Sequence, residues 1–348
     1  MERKPSLGQM AAGRRKSITL TSESLVRTGF PEVESPVHYL VEAVVEGLNL
    51  TVWAAENRGL IDESLRTHGA ILFRNFAVAD VDEFQSFAAA AAGSLLDYSY
   101  GSTPRSPVKD KIYTSTEYPA DQSIPLHNEM SYSRSWPMKI LFCSLRAATE
   151  GGETPLADSR RVFESLDPAI TRTFAQKNVM YIRNYGEHMD LPWQRVFNTT
   201  DRSEAEEFCR RAAIEFEWRD KNRLRTWQVC QGVAIHPRTT ERVWFNQAHL
   251  FHVSSLEGTV GGGLLSYWGS DDLPRDARYG DGSAIESDAL AEIREVYDAK
   301  SRALPWREGD VLLLDNMLVA HGRRPFKGER KVVVAMGELS AVGMSWQD

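Results

Sequence analysis

The sequence predicts a mainly β fold with flanking helices, and three observations support that expectation. Strand-length apolar runs bounded by turn residues recur along the chain, as at residues 139–145 and 311–314. Residues 213–245 read as hairpins, with apolar stretches at 213–218 and 224–229 around a polar turn at 219–223, and a third stretch at 243–245 after a turn at 237–242. A chain of 348 residues with 42% hydrophobic content buries a large core, and sandwiches or barrels of this size often remain one domain.

Residues 1–30 carry Lys4, Arg14, Arg15 and Lys16 among small and polar residues without apolar periodicity, so they are expected to form a flexible or loosely docked extension, with 31–348 as a single domain. Residues 70–76 predict a strand. Asp80 with Glu83 makes a capping box that opens a helix through Val81, Phe84, Phe87 and the alanines up to Gly93. Residues 139–145 predict a buried strand, after which Gly151 and Gly152 turn the chain back. Helices are expected after Ser159 and after Ser203, the latter with Glu206 three residues on. The hairpins that follow are expected to join a larger sheet.

Residues 257–282 are rich in Gly, Asp and Ser, and a loop of that length in a compact domain is more often functional than decorative. Insertions near 155–210 and 257–300 are expected to cover the mouth of the fold. A helix from Ser287 to Lys300, a strand at 310–314, a loop at 315–329 and a strand at 331–336 complete the chain, which shows no internal repeat.

The formal charge of -7 and the lack of a basic stripe past residue 30 argue against nucleic acid as a partner and suit a small polar molecule. No apolar run approaches the roughly 20 residues that span a bilayer, and no signal-peptide core follows the first charges, so the cytoplasm is the expected compartment. Cys143, Cys209 and Cys230 are widely spaced without a Cys-x-x-Cys pair and read as buried, inert thiols.

Chemistry concentrates at His127-Asn128-Glu129 and at a single distant His321. Two imidazoles and one carboxylate suit mononuclear non-haem Fe(II), because three ligands on one face leave the remaining positions open for a co-substrate and dioxygen. Residues i and i+2 at an extended strand end point to the same side, so His127 and Glu129 form a local pair that one remote imidazole completes. A bare His-x-Glu is common and is more often an ordinary surface or core histidine, so the weight falls on the distant context.

That context is specific. Residues 124–132 (IPLHNEMSY), 151–155 (GGETP), 309–316 (GDVLLLDN) and 320–323 (AHGR) resemble the Fe(II)/2-oxoglutarate-dependent dioxygenases of the taurine dioxygenase and clavaminate synthase-like superfamily, over residues 70–336. The resemblance is closest to the branch of amino-acid and peptide natural-product pathways that includes the syringomycin-type aspartyl hydroxylases, and residues 243–252 (VWFNQAHLFH) add to it. It implies a double-stranded β-helix, the clavaminate synthase-like jelly roll, with Fe(II), 2-oxoglutarate and O2 as requirements. His127, Glu129 and His321 would be the iron ligands. Thr154, 27 residues after His127, would bind 2-oxoglutarate together with Arg330, whose fork matches a carboxylate in a way that Lys331 does not. The implied reaction hydroxylates an unactivated C–H bond of an amino acid or amino-acid derivative and releases succinate and CO2.

Other outcomes stay open at this point. One alternative is a substrate tethered to a carrier protein, and the same chemistry runs to desaturation or cyclisation. A non-catalytic cupin-like binding protein is a different class, and a zinc hydrolase would leave Thr154 and Arg330 without a shared purpose. The taurine-type enzymes carry a second arginine four residues after the first, where this chain has Val334, which argues against sulfonate or aryloxyacetate substrates. Glu129 stands where related halogenases have Gly or Ala, which argues against halogenation.

Asn246 and Gln247 emerge from an apolar strand end as candidate substrate contacts, and Tyr98, Tyr100, Ser102 and Thr103 fall in a region that lines the pocket in relatives. His249 and His252 read as packing or pocket histidines, and Trp136, Trp218, Trp227, Trp244 and Trp306 as core and hairpin packing. Arg323 and Arg324 carry no assigned role.

Overall fold

The strand Val311–Asp315 shows how the core is divided. Side chains alternate across a strand, and here Val311 and Leu313 point into a cluster with the helix residues Trp53, Leu65, Phe84 and Phe87. Leu312 and Leu314 point the other way, into a cluster with Leu156, Leu304 and Val319 of a second sheet. Both faces are thus covered, and the run reads as continuously apolar because each face has a partner. The computed structural model describes residues 25–30, 36–97, 105–116, 118–186, 191–255 and 272–340.

Among the described residues, an eight-stranded sheet runs in the order Val26–Gly29, Tyr39–Ala43, Ala70–Arg74, Val311–Asp315, Pro137–Arg146, Lys331–Leu339, Ile112–Thr114, Pro107–Lys109. It faces a four-stranded sheet in the order Arg302–Leu304, Thr154–Asp158, Val319–Arg323, Ile124–His127, whose neighbours are all antiparallel. This is the jelly roll that the sequence implied. A further sheet, Glu215–Arg219, Arg223–Cys230, Val179–Tyr185 and Arg275–Tyr279, packs Tyr181, Ala277 and Tyr279 in a cluster with Leu290, Ile293 and Tyr297 of the helix Ser287–Lys300. No helix among the described residues is long and apolar enough to cross a membrane.

Asp80 caps the helix Val81–Ala92 by accepting from the N–H groups of Asp82 and Glu83, while Glu83 reaches one residue beyond the expected capping box and accepts from Ala79 N–H. Elsewhere the caps fall earlier than expected. Asp158 caps Ser159–Ser165 and Asp201 caps Arg202–Arg211, because an aspartate one or two residues upstream of each serine takes the free helix N–H groups.

Five other expectations are corrected. Residues 26–29 of the predicted extension form an edge strand paired with Tyr39–Ala43. The predicted loop at 315–329 contains the strand Val319–Arg323, and the predicted loop at 257–282 contains the strand Arg275–Tyr279; residues 256–271 lie outside the described residues. Arg242–Trp244 pairs with Val233–Ile235 in a separate two-stranded ribbon and does not extend the larger sheet. Glu129 stands past the end of Ile124–His127, in a turn where Met130 takes φ 56°, so a strand end alone does not aim it.

The three cysteines are buried and unpaired. Burial pushes the thiols of Cys143 and Cys209 up to about 12, which keeps them protonated and unreactive.

Candidate metal centre

Register in the small sheet assembles the site. His321 sits opposite both His127 and Leu156, so a central strand carries one imidazole and its outer neighbour, Ile124–His127, carries the other. The two rings lie 4.7 Å apart between centroids, and the Phe142 ring, 5.1 Å from that of His321, forms a floor from the large sheet. Glu129 reaches the same place by another route. The side chain of Asn316 accepts from Glu129 N–H at 2.7 Å and donates to Glu129 O and Pro137 O, each at 2.9 Å. Asn128 donates to Asn316 O at 2.7 Å, so the two ligand-bearing segments are stitched together through a pair of asparagines. Ligand-type atoms of His127, Glu129 and His321 consequently all fall within 4.8 Å of one another.

The electrostatics suit a cation. His127 Nδ1–H donates to Pro125 O at 2.9 Å, which leaves the lone pair of Nε2 available. Burial holds both imidazoles below their ordinary range; Glu129 partly offsets this for His127, and the neighbouring His127 and Arg105 add to it for His321. Both rings are therefore neutral at neutral pH, as metal ligation requires. The buried Nδ1 of His321 has no protein hydrogen-bond partner among the described residues. Glu129 is buried against the guanidinium of Arg105, which donates to Oε2 at 2.5 Å. Two neutral imidazoles and one carboxylate are the donor set of the facial Fe(II) triad, and the residues present fit that ion.

Thr154 and Arg330 line the same cavity as His127 and His321. Arg330 donates through Nε to Gly152 O at 3.2 Å, and its Nη1 lies 3.5 Å from Ser115 Oγ. Burial, followed by the nearby Arg323, lowers it to about 10, so it stays cationic at neutral pH. A Cβ on Gly152 would lie 3.1 Å from both Cδ and Nε of Arg330; glycine there gives the guanidinium its berth. Lys331 is exposed.

The remaining candidates have other placements. Asn246 is fully buried, donates to Gly232 O and accepts from Ala248 N–H. Gln247 donates to Asn128 O, and its own N–H is accepted by the Tyr181 hydroxyl. Neither lines the cavity. Tyr98, Tyr100, Ser102 and Thr103 lie outside the described residues. His249 packs on Tyr297 and donates to Leu126 O, while His252 pairs with Ser254. Arg323, by contrast, lines the same cavity as Arg330, and its two Nη atoms donate to the carbonyls of Tyr118, Pro119 and Gln122. Val334 is fully buried in the core between the sheets.

Sequence reasoning missed Arg105, Asn316 as a clamp, and the bond from Trp306 to Thr154. Only Asn316 carried a signal, its place at the end of a buried run.

A jelly roll that presents two imidazoles and a carboxylate at one end of its small sheet defines a class, the non-haem iron oxygenases. Residues 34–336 match the family described as Taurine catabolism dioxygenase TauD, TfdA family, and the chain belongs to it. It is an Fe(II)/2-oxoglutarate-dependent dioxygenase that requires iron(II), 2-oxoglutarate and O2. Among curated proteins it is 42% identical over 276 residues to the dapdiamide synthesis protein DdaC of Enterobacter agglomerans, covering 79% of this chain and 84% of DdaC. It is 29% identical over 323 residues to a clavaminate synthase-like protein of Arabidopsis thaliana, covering 88% and 93%. The solved structure of PvcB from Pseudomonas aeruginosa shares the fold, with a TM-score of 0.53, 15% identity, and coverage of 91% of this chain and 93% of that one.

Proposed function

We propose that His127, Glu129 and His321 hold the iron, that Thr154 and Arg330 bind the far carboxylate of 2-oxoglutarate, and that the enzyme hydroxylates an unactivated C–H bond of an amino acid or amino-acid derivative in natural-product biosynthesis. One observation carries the reading: residues from separate segments, numbered 127, 154, 321 and 330, converge on one cavity with Glu129 against its wall. Resemblance to a dapdiamide synthesis protein supports the biosynthetic setting. The cytoplasm is the compartment we assign, and Val334 supports a substrate other than a sulfonate.

When bound, iron with 2-oxoglutarate and O2 supplies the oxidising power for C–H cleavage, with succinate and CO2 as co-products. The chain supplies position and charge. His127 and His321 present neutral nitrogens, Glu129 one negative charge, and Arg330 a fork that takes a carboxylate bidentately. Phe142 sets an apolar ring against His321.

The test is anaerobic addition of Fe(II) and 2-oxoglutarate, read as the visible charge-transfer absorption. The band is expected in the wild type, absent in His127→Ala and weakened in Arg330→Ala; a well-folded wild type without a band overturns the ligand assignment. Succinate release with free amino acids against the same groups loaded on a carrier protein then separates the two substrate forms.

A further inference from the structure

We propose that Trp306 is a positioning residue for 2-oxoglutarate, acting through the hydroxyl of Thr154. The inference rests on the reading that Thr154 binds the co-substrate. The edge strand Arg302–Leu304 pairs with Thr154–Asp158 so that Leu304 stands opposite Thr154. Two residues further on, the indole Nε1–H of Trp306 donates to Thr154 Oγ1 at 2.9 Å.

The direction of that bond decides what the hydroxyl does next. An indole N–H only donates, whereas a threonine hydroxyl has one hydrogen and two acceptor lone pairs. With a lone pair committed to Trp306, the hydrogen of Thr154 turns elsewhere. Among the described residues no protein group accepts it, and the side chain lines the cavity shared with Arg330, His127 and His321. A carboxylate entering that cavity is the matching acceptor, and donation from the indole strengthens the hydroxyl as a donor. Trp306 thus selects the rotamer and polarity that an anion needs, before the anion arrives.

The loop that carries Trp306 is itself anchored. Arg74 donates to Pro305 O at 3.1 Å and grips Asp310 through two nitrogens, at 2.9 and 2.6 Å. Asp310 in turn accepts from Arg307 N–H at 2.8 Å. Buried charge on both sides of the tryptophan fixes its backbone, which is how a side chain outside the cavity holds one inside it.

The test measures 2-oxoglutarate binding by calorimetry on the full chain loaded with Mn(II), which replaces iron without redox chemistry. Trp306→Phe is expected to raise the Kd about five- to tenfold while leaving Mn(II) affinity unchanged. Thr154→Val is expected to raise it at least as far, and the double variant no further than Thr154→Val alone. Wild-type affinity in Trp306→Phe, or additive losses in the double variant, overturns the proposal. An unchanged Kd in Thr154→Val removes the underlying reading of Thr154, and the proposal with it. A second measurement needs no tryptophan variant: in the Zn(II)-loaded protein one indole N–H resonance is expected to move on addition of 2-oxoglutarate and to lose that response in Thr154→Val. An indole set that ignores 2-oxoglutarate in the wild type overturns the proposal.

Discussion

Arg330 and Gly152 are best understood together. Arginine was legible in the sequence as the residue type for a carboxylate, and the Gly-Gly pair as a turn, but nothing in their spacing says that one makes room for the other. The positive φ of Gly152, 74°, and the 3.1 Å approach of its missing Cβ to Arg330 arise only when the Glu150–Gly151 and Phe326–Lys327 strands pair. Gly152→Ala is therefore expected to weaken 2-oxoglutarate binding by about tenfold through displacement of the guanidinium, with Mn(II) affinity retained. Arg330→Lys is expected to lose at least as much, since a point charge replaces a fork. Calorimetry with the Mn(II)-loaded protein checks both, and binding unchanged in Gly152→Ala would show that Arg330 tolerates the shift.

At the scale of elements, the segment from Val311 to Arg323 does two jobs. Its first strand was legible as an unbroken apolar run. The second, Val319–Arg323, was not, because Ala, His, Gly and Arg carry no strand signature and owe their burial to neighbours on both sides. Between them Asn316 fixes Glu129, which no period in the sequence aims. Asn316→Asp keeps an acceptor for Glu129 N–H but removes the donors to Glu129 O and Pro137 O. Mn(II) affinity is expected to fall about 10- to 100-fold, the range for partners that orient metal ligands. Near-UV circular dichroism verifies the fold, and affinity within threefold of wild type in a folded variant would contradict the clamp.

Over the whole molecule, the same packing that builds the jelly roll makes the protein sensitive to acid. His38 and His249 are buried neutral, at about 4 and about 3, chiefly by burial, with Arg74 adding to it for His38 and Arg294 for His249. The unfolded chain takes up protons below about 6.5 while these folded sites do not, so each depressed histidine costs stability as pH falls from 6.5 towards 4. Urea midpoints are expected to drop between pH 7 and pH 4.5, and less steeply in His38→Gln. A flat profile in the wild type would count against neutral burial. Overall architecture was legible because runs, turns and four ordered motifs agreed, whereas sheet membership and register depend on contacts between segments nearly 200 residues apart.

Among the described residues, Ile124–His127 is the outermost strand of the small sheet, bonded on one side only. An open rim of that kind invites a stray chain to add itself and seed aggregation. Pro125 stands on that rim with no N–H to offer, and its carbonyl is already engaged by the ring of His127. One position therefore quarantines the exposed border through its ring and, through its main-chain carbonyl, sets which nitrogen the imidazole presents. Replacing the proline would put an N–H back on the border while leaving that carbonyl in place, and would be felt as turbidity on storage.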